Sequence, residues 1–376
     1  MEYGIFSSVY GEYGIEEAAS RIREAGFRYV QFVPVLDGRF LQASDFTPEH
    51  IRRIRAAYTA AGLKVIAVSG GHGFLHPDPE RQKRALENAR RWIELAPELG
   101  ASLVVTEIGS THPDHNWTDH PNNHTAETWE QAVHLYAALA GHAKAYGVTI
   151  GIEPHFASVI NGVERLRRLL DDVGEPNLKA VLDPANIVTA ANRDRLEQEL
   201  AELFRLAGKD FVLAHAKDTR IEEGESVFVP AGQGILPYPG YVGLLREHGY
   251  RGPLVLEYLG ERDVERTLRF LRGHDVAPYM KPVFEGDERL YQALQAVQEL
   301  NHAPEGALAL KYRLLLSMVA DALRNHPAGA VACAKEALAA GATREQAAEA
   351  MRVVYAAGGL PLLIENIDVY REVLLR

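Results

Sequence analysis

Eight short, apolar, β-rich runs recur along the first three quarters of this 376-residue chain, each followed by a longer amphipathic stretch, and this alternation constrains the fold more than any other feature. Strand period giving way to helix period in regular succession is the pattern of βα units around a parallel sheet. The runs occupy 3–7, 29–33, 65–69, 103–107, 148–153, 180–183, 211–215 and 254–257. Helical patterns at 14–26, 47–62 and 125–147 carry recognisable ends: Thr47 and Thr125 as N-caps, Pro48 at the first helical position, and Gly26, Gly62 and Gly147 just past the end. Eight such units match a closed (β/α)8 barrel. An open doubly wound sheet more often has five or six strands and a GxGxxG turn after the first, which is absent here.

The pattern changes after Arg272. Residues 274–288, HDVAPYMKPVFEGDE, read as a linker, and beyond Leu290 every segment reads as helix: roughly 286–300, 305–324, 326–340, 344–357 and 360–374. Thr343 and Gln346 have the spacing of a capping box. The expected architecture is therefore α/β, a (β/α)8 TIM barrel over 1–275, followed by a small all-α domain over 283–376.

A net charge of −11 and a pI near 5.8 leave no clustered excess of Lys and Arg for gripping phosphate backbones, so no nucleic-acid partner is expected. The single cysteine, Cys333, excludes an intrachain disulfide framework and a thiolate zinc site. The first residues lack the basic and apolar regions of a signal peptide, and no stretch of about 18 apolar residues is evident. A cytoplasmic chain with no membrane partner is the expectation.

In a closed parallel barrel the chemistry sits at the C-terminal ends of the strands. The last four runs all end in a possible metal ligand: Glu153 in GIEPH, Asp183 in VLDPAN, His215 in LAHAKD and Glu257 in LVLEY. Three carboxylates and an imidazole converging on one mouth repel one another unless a cation lies between them. A single such acid is often only the cap of the next helix, but four in successive strands point to one divalent ion. Mostly oxygen donors with one nitrogen suit Mn, Mg or Co, and Zn also accepts them.

Further groups near the strand ends are expected to contact substrate. Glu107 ends VVTEIGS, His72 follows strand three in SGGHGF, and His155 stands two residues beyond Glu153. Asn186, Lys217 and Arg220 lie on the loops after strands six and seven, where amide and cationic groups fix substrate oxygens. The segment THPDHNWTDHPNNH, 111–124, contains His112, His115, His120 and His124, yet its Asn, Asp and Pro content marks a long loop. It reads as a lid with Trp117 shielding the substrate, in preference to a second metal site.

The ordered series IEPH, LDPAN, HAKD and LVLEY, with the run 230–258 leading into the last strand, resembles the xylose isomerase-like barrel superfamily of sugar phosphate isomerases, epimerases and apurinic endonucleases. The resemblance implies a metal held by Glu153, Asp183, His215 and Glu257, with Glu153 and Glu257 moving a proton on opposite faces of the substrate. Ketose epimerases of this type carry His a few residues after the strand-six Asp, where this chain has Asn186. The ends of strands two and three offer too few ligands for the three zinc ions of the endonucleases. Residues 310–361 resemble the carboxymuconolactone decarboxylase and alkylhydroperoxidase-D-like helical family, GATREQ being the most telling piece. The CxxC pair of its peroxidase members is absent: His326, Gly329 and Cys333 stand at the corresponding positions, and Cys333 reads as a packed helix residue. That resemblance implies a homo-oligomer formed through the helical domain.

Together these features point to a metal-dependent isomerase or epimerase of a sugar or sugar derivative, with a small polyhydroxylated substrate. A lyase of the same superfamily, dehydrating a keto-inositol or a dehydroshikimate-like acid, uses the same ion and base. A ligand-binding barrel without catalysis is less in keeping with an intact ligand set, and a decarboxylase sited in the tail would rest on little more than Arg324 and His326.

Overall fold

The computed structural model describes residues 1–276, 280–303 and 305–375, so part of the expected linker lies outside the described residues. The chain divides into two compact units, Met1–Asp275 and Val276–Arg376.

Eight parallel strands build the first unit: β1 (Tyr3–Phe6), β2 (Tyr29–Phe32), β3 (Lys64–His72), β4 (Leu103–Glu107), β5 (Thr149–Ile152), β6 (Leu178–Leu182), β7 (Phe211–Glu222) and β8 (Leu254–Leu256). Each pairs with the next, and β8 returns to β1 with Leu254 opposite Tyr3, so the sheet closes as the alternation predicts. Helices α1 (Ile15–Glu24), α2 (Pro48–Ala60), α3 (Pro79–Leu99), α4 (Ala126–Lys144), α5 (Val163–Val173), α6 (Leu196–Ala207), α7 (Tyr238–Glu247) and α8 (Val264–Asp275) follow the strands in turn. Thr47 and Thr125 cap α2 and α4 by accepting from the amides of His50 and Thr128, and Pro48 opens α2. Gly62, at φ +71, turns the chain out of α2 through the left-handed region.

Two apolar layers result. The larger packs the outer strand faces against the helices, with Trp92, Tyr136, Ile54 and Leu166 fully buried. The smaller fills the barrel with Leu103, Val105, Val181, Leu213 and Val255. Gly151 belongs to this inner layer: a Cβ there would stand 2.6 Å from Val181 Cγ2 and 3.1 Å from Leu103 Cδ1. Gly151→Ala is therefore expected to overpack the barrel and cost about 1–3 kcal/mol, read as a lower denaturant midpoint; an unchanged midpoint would show that this layer yields freely.

Two features depart from the sequence reading. A small hairpin, Val35–Leu36 with Arg39–Phe40, follows β2. Strand β7 does not stop at His215 but runs on to Glu222 and pairs antiparallel with Glu225–Pro230, Pro230 opposite Lys217. Its polar sequence KDTRIE reads as loop, and the turn rests on Glu223 and Gly224, both at positive φ.

The second unit contains α9 (Lys281–Gly286), α10 (Glu288–His302), α11 (Leu310–Leu323), α12 (Pro327–Ala339) and α13 (Arg344–Glu365). Thr343 and Gln346 form the expected capping box. The first expected C-terminal segment and the start of the second merge into α13 across a kink at Gly359 (φ 73, ψ −172), with Pro361 just beyond it, and the rest of the second segment forms a separate π-helical turn, Tyr370–Leu374. Contrary to expectation, α13 is long and apolar enough by length and composition to cross a membrane, with 17% of its most apolar window buried. Cys333 is half-buried in α12, and burial together with Asp321 pushes its thiol up to about 11. That is the opposite of an activated nucleophile.

Candidate metal centre

The site follows from strand periodicity. Side chains two residues apart share a face, so the barrel-filling positions predict which later residues also point inward. Gly151 leads to Glu153, Val181 to Asp183, Leu213 to His215 and then Lys217, Val255 to Glu257, and Val105 to Glu107. The ladder extends past the strand ends to seat two of these backbones: Glu153 N–H donates to Thr106 O and Glu257 N–H to Ala216 O.

Glu153, Asp183, His215 and Glu257 are all buried and each offers one ligand atom within 4.8 Å of the others. Oxygen ligands on opposite sides of an octahedral ion stand about 4.2 Å apart, so this spacing accommodates one shared cation. His215 Nδ1 makes no hydrogen bond and lies 3.5 Å from Glu153 Oε1, 3.9 Å from Asp183 Oδ2 and 3.8 Å from Glu257 Oε2. Asp183 caps the turn that follows it and still turns an oxygen to the centre. Its Oδ1 caps the turn Pro184–Ile187 through Ala185 N–H, while Oδ2 faces the imidazole.

Lys217 supplies the counter-charge. Its Nζ is 2.8 Å from Asp183 Oδ2, 2.6 Å from Glu257 Oε1 and 2.7 Å from Asn186 Oδ1. The two carboxylate oxygens meet the ammonium as ion pairs without aligned hydrogen bonds. Burial pulls the lysine down, but Asp183 and Glu257 overcome it and hold Lys217 firmly protonated. Burial pushes Glu257 up, with Lys217 pulling back, whereas the charge of Lys217 holds Asp183 low against its own burial. Burial likewise lowers His215, yet Glu153 and Glu257 push it up to about 9. A shared cation would relieve the same carboxylates without protonating the ring, which fits the orphaned Nδ1.

The other imidazole nitrogen is anchored. His215 Nε2 lies 2.9 Å from Gln31 Oε1, and Gln31 Nε2 donates to Ser69 Oγ at 3.1 Å, so the amide accepts from Nε2–H and leaves Nδ1 for the centre. Sequence reasoning missed Gln31. The available signal was a lone amide inside the otherwise apolar strand YVQF. Replacing it by Leu is expected to weaken Mn²⁺ affinity about 10–100-fold, measured by competition with a chromophoric chelator; equal affinity would remove Gln31 from the centre.

Around this core the expected substrate contacts divide. Asn186 is buried and donates to Glu153 Oε1 at 2.6 Å. Glu107, half-buried at the end of β4, is pushed well above the usual carboxylate range by burial and the charge of Glu153. Trp117 lies 5.2 Å from the ring of His72 and 4.8 Å from that of His155, which brings this ring of the loop beside two residues that follow or end β3 and β5. Burial lowers both histidines, His155 to about 4. The loop is tied down by buried Asn123, which bonds Ser110 and Thr111. Arg220 is directed elsewhere: its Nε donates to Gln233 O at 2.7 Å and Nη1 faces Glu222. Phe228, 4.3 Å from Lys217 Nζ, and Tyr258, 5.4 Å from the ring of Phe228, were not anticipated.

The family model described as xylose isomerase-like TIM barrel matches residues 19–274. The chain belongs to this family. The carboxymuconolactone decarboxylase family model matches residues 288–369, so the barrel is followed by a domain of that second family. A protein of Haemophilus influenzae named as a putative L-ribulose-5-phosphate 3-epimerase is 20% identical over 262 residues, covering 68% of this chain and 88% of the relative. Among solved structures, a D-tagatose 3-epimerase-like protein superposes with TM-score 0.57 and 21% identity, covering 73% of this chain and 97% of its own. A xylose isomerase-like TIM barrel protein from Mycobacterium smegmatis, solved in complex with magnesium, gives TM-score 0.51 and 18% identity, covering 69% and 88%. At these identities the structural likeness concerns the family's fold.

Proposed function

We propose that this chain is a divalent-metal-dependent isomerase or epimerase of a sugar or sugar derivative, acting by proton transfer next to a carbonyl. The observation that carries it is the buried Glu153, Asp183, His215 and Glu257 set with its ligand atoms turned on one another. The relatives named as sugar epimerases and the magnesium-bound family member support the same reading.

Glu153, Asp183, His215 and Glu257 would hold a divalent ion, which would supply Lewis acidity and so make a C–H beside a carbonyl more acidic. The chain's residues do the rest. Glu153 and Glu257 come from the outer two of the four ligand-bearing strands, so each flanks a bound substrate; one carboxylate takes the proton and the other returns one. Asn186 holds Glu153 in place through Oε1, and Lys217 keeps a positive charge beside the oxygen on which negative charge develops. Trp117, His155 and Phe228 form an aromatic cover that limits water.

Solvent-deuterium wash-in on the Mn²⁺-loaded protein, screened over ketoses, keto-inositols and dehydroshikimate, tests this reading. Exchange without loss of water supports isomerisation, appearance of an enone favours the lyase, and no exchange on any of them overturns both.

We also propose that the helical unit joins copies of this chain. Among the described residues, thirteen exposed large apolar side chains lie beyond residue 276 and six before it. At about 80–100 Å² each, those thirteen exceed the ~800 Å² that one partner gives a standard interface. The run Val353 to Ile364 carries no charged residue, so two copies meeting across a two-fold axis place like against like without repulsion. Leu360→Glu with Ile364→Glu is expected to lower the sedimenting mass at unchanged metal content; an unaltered mass counts against the interface.

A further inference from the structure

Beside the barrel mouth a cavity of about 910 Å³ opens between α3 and the segment that follows β2. Its charge is the reverse of the mouth's. Arg81, Arg84 and Arg91 line it against a single carboxylate, Glu87, on a chain whose net charge is −11. The arginines share α3 with Asn88, and the spacing 81, 84, 88, 91 puts all four on one helical face.

The walls are built, not incidental. Asn88 Oδ1 accepts from Ala43 N–H at 2.7 Å and Nδ2 reaches Gly70 O at 3.5 Å, so one amide ties the helix to the segment after β2 and to β3. Gly71, at φ +109, lies in the left-handed region that favours glycine, and a Cβ there would come within 3.2 Å of Asn88 Nδ2. Phe40, 57% exposed and paired with Val35 at the open end of the hairpin, also lines the cavity.

Two of the three guanidinium groups have acidic neighbours: Arg91 meets Glu94 at 2.8 Å and Arg81 stands 3.9 Å from Asp78. Arg84 has no ion-pair partner among the described residues. A guanidinium offers five donors and no acceptor, in a fork that matches carboxylate and phosphate oxygens. The cavity also adjoins the mouth. His72, which lines it, ends β3 in register with Glu107, whose carboxyl feels the charge of Glu153, and its ring lies 5.2 Å from that of Trp117.

We propose that this cavity binds an anionic group, a phosphate monoester or a carboxylate, carried by the substrate at the end remote from its reacting carbons, with Arg84 making the direct pair. The proposal rests on the metal-centred reading for the placement of the reacting end. It narrows the substrate from any polyhydroxylated molecule to an acidic one, and it gives a negatively charged chain a local field that draws such a molecule to the right side of the mouth.

The test is calorimetric titration of the Mn²⁺-loaded full chain with a ketopentose, its 5-phosphate and the matching keto-uronate, with inorganic phosphate as competitor. Wild type is compared with Arg84→Gln and with Arg81→Gln/Arg84→Gln. One acidic ligand is expected to bind at least about tenfold tighter than the neutral ketose, the order of one charge-assisted pair. Phosphate should compete, and Arg84→Gln should remove most of the advantage while leaving metal stoichiometry and neutral-ketose affinity unchanged. Preference for the 5-phosphate or for the uronate identifies the group. Equal binding of neutral and acidic ligands, or an advantage that survives the double variant, overturns the proposal. Arginine-dependent binding of an acidic sugar without C–H exchange would leave the anion site standing and sink the proton-transfer reading. Exchange on neutral ketoses, indifferent to phosphate, would do the reverse.

Discussion

Glu153→Gln and Glu257→Gln should each lower turnover by about a thousandfold, the middle of the range for loss of a positioned general acid or base. Glutamine keeps the shape and one carbonyl oxygen at each position but cannot take a proton. Both residues also belong to the ligand set, so metal content must be measured in the same samples. The discriminating readout is stereochemical. If the two carboxylates serve opposite sides of the substrate, each variant should still wash deuterium from solvent into one epimer while forming no product of the other configuration. A variant that has merely lost its metal would exchange with neither. Near-normal turnover in both, at full metal occupancy, would take the proton-transfer roles away from these residues.

That these carboxylates and the His215 imidazole converge at one end of the barrel was legible in the sequence. Parallel strands buried on both faces read as continuous apolar runs, and a charged residue that terminates four of them in succession has nowhere to point but the mouth. Glu153, Asp183, His215 and Glu257 stand immediately beyond or within β5 to β8, two positions after an inward residue in each case. The helical tail was legible for the complementary reason: Ala- and Leu-rich stretches with a capping box specify helices locally, without help from distant contacts.

What stayed hidden depends on long-range contacts. Gln31 meets His215 across 184 residues of chain, and nothing local in YVQF says that its amide will orient a ligand. The extension of β7 was invisible because KDTRIE lacks an apolar face; it forms because Glu225–Pro230 folds back on it, and that pairing seats Phe228 over Lys217. Tyr258 takes φ +55 directly after Glu257, a conformation for which a tyrosine gives no warning. Arg220 shows the converse error. Its loop position suggested a substrate contact, but the longer strand turns it toward Gln233 and Glu222.

Lys217 provides the second large expected effect. With no ion present, its ammonium is the charge that holds Asp183 ionised in a buried site and pulls Glu257 back against the upward push of its burial. Lys217→Met keeps most of the side-chain volume and removes that charge. Breaking one side of a buried ion pair costs about 3–5 kcal/mol. Protonation of Glu257, already pushed upward by its burial, limits the loss toward the lower end. In the chelated protein the unfolding midpoint is thus expected to fall by about 10 °C, at roughly 2–4 °C per kcal/mol for a domain of this size. Adding Mn²⁺ should reverse most of this. The ion and the ammonium neutralise the same carboxylates, so the variant should gain more from the metal than the wild type does, by mass action on a centre freed of its internal competitor. The decisive comparison is the metal-induced shift in midpoint, variant against wild type. A larger shift in the variant supports a cation-binding centre, whereas an equal loss with and without metal would make Lys217 a packing residue and would count against any ion between those four side chains.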